Sequence, residues 1–362
     1  MERDRSDALR RDAGSSAPAG PAPATRVARR EWKTYDEVAE AIGDAALKAF
    51  IHSRQVRPWS LDARSAGSAL LQRAVEGAAV SSTGVVAPGR VAFFLTGEKS
   101  ASRRCNGEEL DDRGAFRWVP GEELSSLSRR PSEWVALTAT TDAIRRAERI
   151  LEGEPSAARP LDARASKAAP ATVAGFRGLL LDAMRAIDEA GPAGLHPESA
   201  RNLEETLGLA AARLFAGLGP LPRPRRGVDR GRVLAEVEAF LASAGPEPVY
   251  VSALCERLGL PERTLRYVFE EQFGASPMRV LRARRLCEAR SALRSAPAGT
   301  RVSKVAGRFG FWHLGQFATD YRKLFGERPS EALLASRARS RPRGEGDGRD
   351  LTAWAATSAR FG

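Results

Sequence analysis

The spacing of apolar positions changes twice along the chain. Between about Glu31 and Thr141 they fall into short alternating or continuous runs separated by Pro, Gly and Asn, which is typical of β-strands joined by tight turns. The clearest runs are Ser68 to Val75, Arg90 to Thr96, Ala115 to Val119 and Glu133 to Thr138. Asn106-Gly107 suits a hairpin turn, because both residues tolerate positive φ. This region is predicted to form a small antiparallel sheet or barrel.

Beyond a Pro/Ala-rich break near residues 154–170, the apolar positions take up a helical period. The first stripe is Val173, Phe176, Leu180, Met184 and Ile187, and the second is Leu203, Leu207, Ala210 and Leu214. GPAGLHP, residues 191–197, turns the chain between the two helices. The seam of such a helical pair is either ordinary core or a dimerisation face, and the pattern leaves both open. A basic, proline-punctuated linker, residues 219–231, is predicted to follow.

Two segments of the C-terminal region share one pattern. A helix-turn-helix needs Gly at its turn and apolar or small residues where the two helices touch. Gly259 has Leu254, Cys255 and Leu258 before it and Leu260, Leu265 and Val268 after it. Gly310, 51 positions later, has Val305, Ala306 and Phe309 before it and Phe311 after it. The sequence therefore predicts the same unit twice.

Both units also end alike. Phe273-Gly274 is followed by Pro277, and Phe325-Gly326 is followed by Pro329, so that Gly ends one helix and Pro opens the next. Between the units, residues 278–295 alternate arginines with apolar residues at helical spacing. We expect a rigid connecting helix with a core side and a basic side. The aromatic residues at 311, 317, 321 and 325 are predicted to be core, with cations on the outer face.

Positive charge is concentrated in the C-terminal region. The net charge is +12, and residues 249–340 hold 17 Arg and Lys against 8 Asp and Glu, or +9 of that total. Such clustering favours an anionic partner.

The chain has neither an apolar run of membrane-spanning length nor an apolar stretch near its start, so a cytoplasmic location is expected. The three cysteines lack metal-ligand spacing and are expected to be buried. Residues 1–30 are predicted to be a disordered tail, and residues 339–362 a flexible tail.

Several of these segments resemble a known family. RLCEARSAL at 285–293, Gly-Phe at 310–311 and the two Phe-Gly-x-x-Pro tails resemble the DNA-binding domain of AraC/XylS transcriptional regulators. GFWHLGQFATDY at 310–321 is most similar to the branch containing the ethanolamine-utilisation operon regulator. The resemblance covers about residues 230–335. Residues 31–218 fit the family's cupin-like sensor and dimerisation region in outline.

The resemblance implies an α+β multidomain protein. Residues 31–141 would be a β-rich cupin-like sensor domain, 142–218 a helical dimerisation region, and 232–338 an all-α double helix-turn-helix domain. A homodimer would bind promoter DNA, respond to a small-molecule effector and act with RNA polymerase, more often as an activator than as a repressor. A constitutive DNA-binding protein is one alternative, and a cupin-type enzyme is another.

The family also implies two recognition helices that enter successive major-groove segments about 34 Å apart. Base contacts fall to Arg263, Thr264, Arg266 and Tyr267 in the first and to Leu314, Gly315, Gln316 and Thr319 in the second. Phosphate contacts fall to Arg282, Arg301, Arg322 and Lys323. Arg263 or Arg266 could pair bidentately with guanine, so the first helix is predicted to carry more of the base discrimination. Asp320 is expected to accept a structural hydrogen bond or salt bridge, from Arg322 or the Trp312 indole.

Enzyme chemistry finds little support in the sequence. The three histidines, His52, His196 and His313, fall in three different predicted regions, whereas a cupin metal site needs clustered His and carboxylates. No nucleophile-elbow or P-loop motif occurs, and no cofactor or metal is predicted. An effector pocket would be mainly apolar. Its candidate lining residues are Phe93, Phe94, Trp118 and Trp134.

Overall fold

The computed structural model describes most of the chain between residues 26 and 339. The described ranges are 26–32, 35–98, 102–112, 114–152, 161, 164–166, 168–191, 194–216, 233, 236–237, 240, 249–297 and 299–339. The predicted linker at 219–231 lies outside them, as do residues 1–25 and the predicted tail beyond 339. Among the residues that the structure describes, every helix is too short or too polar to span a membrane.

The N-terminal domain consists of two antiparallel sheets. The strands are β1 (Arg26–Trp32), β2 (Ala45–Ile51), β3 (Trp59–Ala66), β4 (Ala69–Val75), β5 (Val80–Val86), β6 (Arg90–Thr96), β7 (Arg103–Cys105), β8 (Glu108–Leu110), β9 (Ala115–Trp118), β10 (Glu123–Ser128), β11 (Glu133–Thr140) and β12 (Arg164–Ala165). The larger sheet has the order β1-β3-β4-β11-β6-β9-β12, and the smaller has the order β2-β5-β10-β7-β8. The four clearest strand predictions are thus confirmed as β4, β6, β9 and β11.

Turn chemistry joins β7 to β8 as the sequence predicts. Asn106 and Gly107 have φ values of 44° and 85°, the positive angles that a two-residue hairpin turn needs.

The predicted disordered segment 1–30 needs correction, because β1 begins at Arg26 and pairs with β3 as far as Trp32, opposite Trp59. Backbone pairing at a sheet edge orders this arginine-rich stretch, and composition carries no signal of that pairing.

Ten helices have defined bounds in the described ranges. They are α1 (Tyr35–Ala41), α2 (Thr141–Glu152), α3 (Pro170–Glu189), α4 (Pro197–Arg213), α5 (Val251–Leu258), α6 (Glu262–Phe273), α7 (Pro277–Arg294), α8 (Val302–Arg308), α9 (Leu314–Phe325) and α10 (Pro329–Arg339). Four of the longer ones, α3, α4, α7 and α10, begin at Pro, whose fixed φ and missing N–H suit the first turn.

The helical pair α3 and α4 packs on the larger sheet. All five residues of the predicted α3 stripe are buried, and Leu207 and Leu214 of the α4 stripe are buried with them. Phe215 lies against Phe93 of β6, with ring centroids 5.7 Å apart. Arg64 of β3 donates to Asp188, with Nε 2.6 Å from Oδ1. The apolar seam is therefore core within one chain, and a dimer contact would have to use a different face.

The smaller sheet docks directly on the C-terminal domain. The Cys287 thiol of α7 donates to the Ile51 carbonyl at 3.6 Å, and the His52 ring meets the Phe273 ring edge-on at 5.8 Å. Phe50 packs on the apolar cluster formed by α5, α6 and α7, and Leu127 of β10 is buried in it. The end of β2 thus touches α7 and the last residue of α6.

Candidate nucleic-acid interface

The first C-terminal unit is the pair α5 and α6. Gly259 ends α5 with φ of 61°, a backbone angle that residues with a Cβ rarely adopt, and the Leu260 N–H donates to the Cys255 carbonyl at 3.1 Å. Leu254 on α5 meets Leu265 and Val268 on α6 in a cluster where all three are at most 1% exposed. The predicted turn and inner faces of this unit are confirmed.

The second unit, α8 and α9, repeats this arrangement. Gly310 has φ of 74°, and the Phe311 N–H donates to the Ala306 carbonyl at 2.9 Å. This bond joins the two positions that lie 51 residues beyond Leu260 and Cys255. Phe317 and Tyr321 of α9 are buried as predicted, with the Phe317 ring 5.0 Å from that of Phe311. The two units share one turn geometry, not only a sequence pattern.

The connecting helix α7 ties the second unit in place through its arginines. Arg282 donates to Asp320 of α9, with Nε 2.8 Å from Oδ2. Arg290 is 4% exposed and donates to Glu327 at 2.8 Å, and its guanidinium lies 4.6 Å from the centre of the Phe325 ring. The predicted basic side of this helix needs correction, because these two arginines are held by carboxylates of the second unit. Burial also lowers the pKa of Arg285.

The predicted base-contacting residues lie on the outer side of α6 and α9. Seven of the eight are exposed, and Thr264 is half-buried. The exposed seven are Arg263, Arg266, Tyr267, Leu314, Gly315, Gln316 and Thr319. The buried faces of both helices hold the core, so these side chains are accessible to a partner.

Two side chains of α9 are engaged within the helix itself. The Thr319 hydroxyl donates to the Gly315 carbonyl at 2.9 Å, and the Gln316 amide donates to Asp320 Oδ1 at 2.9 Å. On α6, Arg266 Nε donates to Glu270 Oε1 at 2.9 Å, and this hydrogen bond raises the pKa of Arg266. Any base contact by Arg266 or Gln316 would therefore replace or share an existing bond.

The four predicted phosphate contacts differ in their surroundings. Arg322 and Lys323 are exposed in the last turn of α9, and Arg301 is exposed at the N-cap of α8. Arg282 has a side chain 38% exposed and is bound to Asp320. The expected structural role of Asp320 is confirmed, but its cationic partner is Arg282 of α7 and not the expected Arg322 or Trp312. A phosphate would compete with that carboxylate for Arg282.

Trp312 is an additional candidate for a DNA contact. It is 78% exposed at the entry to α9, the highest exposure of any large apolar residue in the described ranges. Its position corresponds to Pro261, which precedes α6. The signal available in the sequence was that Trp312 breaks the helical spacing of the core aromatics.

Within the N-terminal domain, three of the four candidate pocket residues line a cavity between the two sheets. These are Phe94, Trp118 and Trp134. The prediction that Phe93 lines the pocket is wrong. Strand alternation turns Phe93 to the opposite face of β6, where it packs on Phe215. In the described part of the chain, no group of three His, Cys, Asp or Glu side chains could hold a metal ion.

Known proteins with similar sequences match this chain in its C-terminal region. A family model described as "Helix-turn-helix domain" matches residues 254–334. A probable thc operon regulatory protein of Rhodococcus erythropolis is 37% identical over 95 residues, which are 26% of this chain and 29% of that protein. XylDLEGF operon transcriptional activator 2 of Pseudomonas putida is 34% identical over 111 residues, which are 30% of this chain and 71% of that protein.

Among solved structures, the AraC-like transcriptional activator CuxR matches with 13% identity over 74% of this chain and 96% of its own, at a TM-score of 0.38. The DNA-binding domain of AdpA, in complex with a target DNA, matches with 32% identity over 31% of this chain and 97% of its own, at a TM-score of 0.27.

The C-terminal region is thus a helix-turn-helix domain by its sequence match as well as by its turns. The chain belongs to the AraC/XylS family of transcriptional regulators. It spans 29% of the length of the Rhodococcus relative and 41% of the XylDLEGF operon transcriptional activator of Pseudomonas putida.

Proposed function

We propose that this protein is a sequence-specific DNA-binding regulator of transcription whose two C-terminal units act together as a double helix-turn-helix. One observation carries the proposal. The turn bond from Leu260 to Cys255 recurs from Phe311 to Ala306, and each turn leads into a helix with a buried apolar face and an exposed polar face. Two such modules on a stiff connector suit two consecutive major-groove segments.

The proposed contacts divide the work between the two helices. Arg263 and Arg266 on α6 offer planar guanidinium groups that match guanine O6 and N7, worth about 1–3 kcal/mol of discrimination per good pair. On α9, Leu314 offers only an apolar contact and Thr319 a single hydroxyl, alongside Gly315 and Gln316. Thr264 and Tyr267 complete the first set. Arg301, Arg322 and Lys323 would position the duplex through phosphates, which adds affinity without sequence preference.

We also propose that the N-terminal domain, with a cupin-like arrangement of its sheets, binds a small-molecule effector that controls this activity. The direct contact between β2 and α7 supports the proposal, because a shift of β2 would reach the helix that joins both DNA-binding units. Activation of promoters, together with RNA polymerase and as a homodimer in the cytoplasm, follows the family's pattern. The likeness of residues 310–321 to the ethanolamine-operon branch stays a prediction.

A genome-wide footprint of the full chain in the organism that encodes it tests the proposal. We expect discrete sites that share one sequence and lie upstream of genes whose transcripts rise when the protein is present. The variant Arg266→Ala should lose or broaden these sites. Arg185→Ala, which removes an exposed arginine from the distant helix α3, should keep them. Even coverage with no shared sequence would contradict the proposal.

A further inference from the structure

We propose that the cavity between the two sheets binds a small uncharged molecule that carries a hydrogen-bond-accepting oxygen, and that Gln72 is the residue that binds this oxygen. The inference rests on the effector control proposed above and names the chemical class of the ligand. Three features of the cavity carry it: its size, the cancellation of its charges and one unpaired buried donor.

The size of the cavity limits the ligand to a single small ring or a short chain. Its volume is about 70 Å³. A water-sized sphere needs about 10–15 Å³, so the space holds roughly five to seven non-hydrogen atoms. Phe94, Trp118 and Trp134 form apolar walls, whereas Ala92 and Ala136 leave the interior open. Such walls favour an apolar body for the ligand.

The charges that line the cavity are already neutralised. Glu76 and Arg103 are 1% and 2% exposed and form an ion pair with each other. Glu76 also accepts hydrogen bonds from the Trp134 indole at 3.0 Å and from the Ser132 hydroxyl at 2.7 Å. Asp44 at the cavity edge accepts a hydrogen bond from Arg90 Nε at 3.0 Å. A charged ligand would lack a free counter-ion in this buried space, which favours an uncharged one.

Gln72 supplies a free hydrogen-bond donor. It is 2% exposed on β4, between Ala63 of β3 and Ala136 of β11, and it lines the cavity. Its Nε2 has no hydrogen-bond partner among the described residues, and Arg103 Nε is unpaired in the same way. A buried donor without an acceptor destabilises a fold. Unpaired donors beside an apolar cavity fit a ligand that brings the acceptor oxygen.

Strand β2 lies between this cavity and the C-terminal domain. Ala45 and Leu47 line the cavity, while Phe50, on the alternate face of the strand, packs on the core of the first unit. Burial raises the pKa of Glu288 on α7, and the charge of Lys48 of β2 acts against this rise, together with Arg284 and Arg285. A ligand in the cavity therefore lies one strand away from the connecting helix.

Saturation-transfer NMR on the full chain can test this inference with three probes of similar size: cyclopentanone, cyclopentane and the cyclobutanecarboxylate anion. We expect cyclopentanone to bind about tenfold more tightly than cyclopentane, the effect of one good hydrogen bond. The anion should not bind. In Gln72→Leu the preference for the ketone should vanish, and in Ala136→Leu, which fills the cavity, both neutral probes should lose binding. Asn202→Leu, an amide-to-leucine change at an exposed position of α4, should behave as wild type.

Thermal unfolding without any probe gives a second readout. Gln72→Leu should raise Tm by a few degrees, because it removes an unpaired buried amide, whereas Asn202→Leu, at an exposed position, should raise it much less. A ketone preference that survives in Gln72→Leu, equal binding of all three probes, or no binding to the wild type would overturn the inference. If the ligand result fails while the genomic footprint remains, only this inference falls. If the probes bind but no footprint appears, the proposed function fails.

Discussion

Arg282 of the connecting helix α7 is hydrogen-bonded to Asp320 of α9, with Arg282 Nε 2.8 Å from Asp320 Oδ2. This bond joins the helix between the two units to the helix that the second unit would place in DNA. It thereby couples the position of α9 to that of α7, and Gln316 also donates to the same carboxylate. The Arg282–Asp320 pair therefore holds α9 to α7 within the proposed binding surface.

Removing this carboxylate should loosen the second unit. Asp320→Ala leaves Arg282 and Gln316 without their acceptor, so we expect the free energy of unfolding to fall by about 1 kcal/mol, since Arg282 is partly exposed to solvent. Affinity should fall for all DNA sequences, because a second unit that α7 no longer holds loses its fixed position, and this loss should exceed the gain from freeing Arg282 for a phosphate. Urea unfolding and fluorescence anisotropy measure the two effects. Asp182→Ala breaks a solvent-exposed pair on α3 and is expected to change neither quantity.

Two arginine variants should separate base contact from phosphate contact. Arg266→Ala is expected to relax preference at one base position, whereas Arg322→Ala should weaken binding to all sequences alike and flatten its dependence on salt. Competition binding against single-base operator variants, repeated at several salt concentrations, distinguishes the two outcomes. Equal, sequence-independent losses for both variants would remove base discrimination from α6.

In the proposed complex, Glu270 would compete with DNA for Arg266. Its carboxylate holds Arg266 at 2.9 Å and would repel phosphates nearby, so Glu270→Gln should raise affinity for DNA severalfold. The gain should shrink as salt is added, because it is electrostatic. Association measured at low and at high salt checks this expectation. Unchanged or weaker binding of Glu270→Gln would show that the Arg266–Glu270 pair orients Arg266 for its contact instead.

Acidification should weaken the contact between the two domains through His52. Burial lowers the pKa of His52 from 6.5 to about 4, against a raising effect of a backbone hydrogen bond with Val80. The unfolded chain therefore binds the proton first as pH falls. The contribution of His52 to stability is complete above pH 6.5 and is lost as pH falls toward 4, with a slope of about 1.4 kcal/mol per pH unit for one proton.

His52→Phe keeps an aromatic ring against Phe273 and cannot titrate, so its stability should depend less steeply on pH over that range. Urea unfolding at a series of pH values measures the slope. His196→Gln, at an exposed helix N-cap, serves as the control and should retain the wild-type slope. A His52→Phe slope as steep as that of the wild type would assign the effect to other groups.

Local chemistry made much of the fold predictable. The glycines at 259 and 310, and the Phe-Gly-x-x-Pro tails after α6 and α9, specify backbone angles and helix boundaries that depend on nearby residues alone. The alternating runs of β4, β6 and β11 are predictable for the same reason. β1 was missed because its order comes from pairing with β3, a contact between residues far apart in sequence.

The candidate sites were harder to predict where partners come from distant segments. The bonds from Arg282 to Asp320 and from Arg290 to Glu327 span 38 and 37 residues, so helical spacing alone suggested a free basic face. Phe93 and Phe94 are both phenylalanines, and which one lines the cavity depends on which face of β6 is turned toward it. Gln72 gave no signal in sequence, because an unpaired buried amide is defined by its surroundings.

In the proposed function, two matched helical units would contact consecutive turns of one duplex. Selection of binding sites from random-sequence DNA by the full chain measures this arrangement. We expect two conserved blocks with centres about 10 base pairs apart, one helical turn of roughly 34 Å, and Arg266→Ala should relax one block while leaving the other. A single conserved block, or no enrichment over scrambled competitor at ordinary salt, would exclude two such contacts.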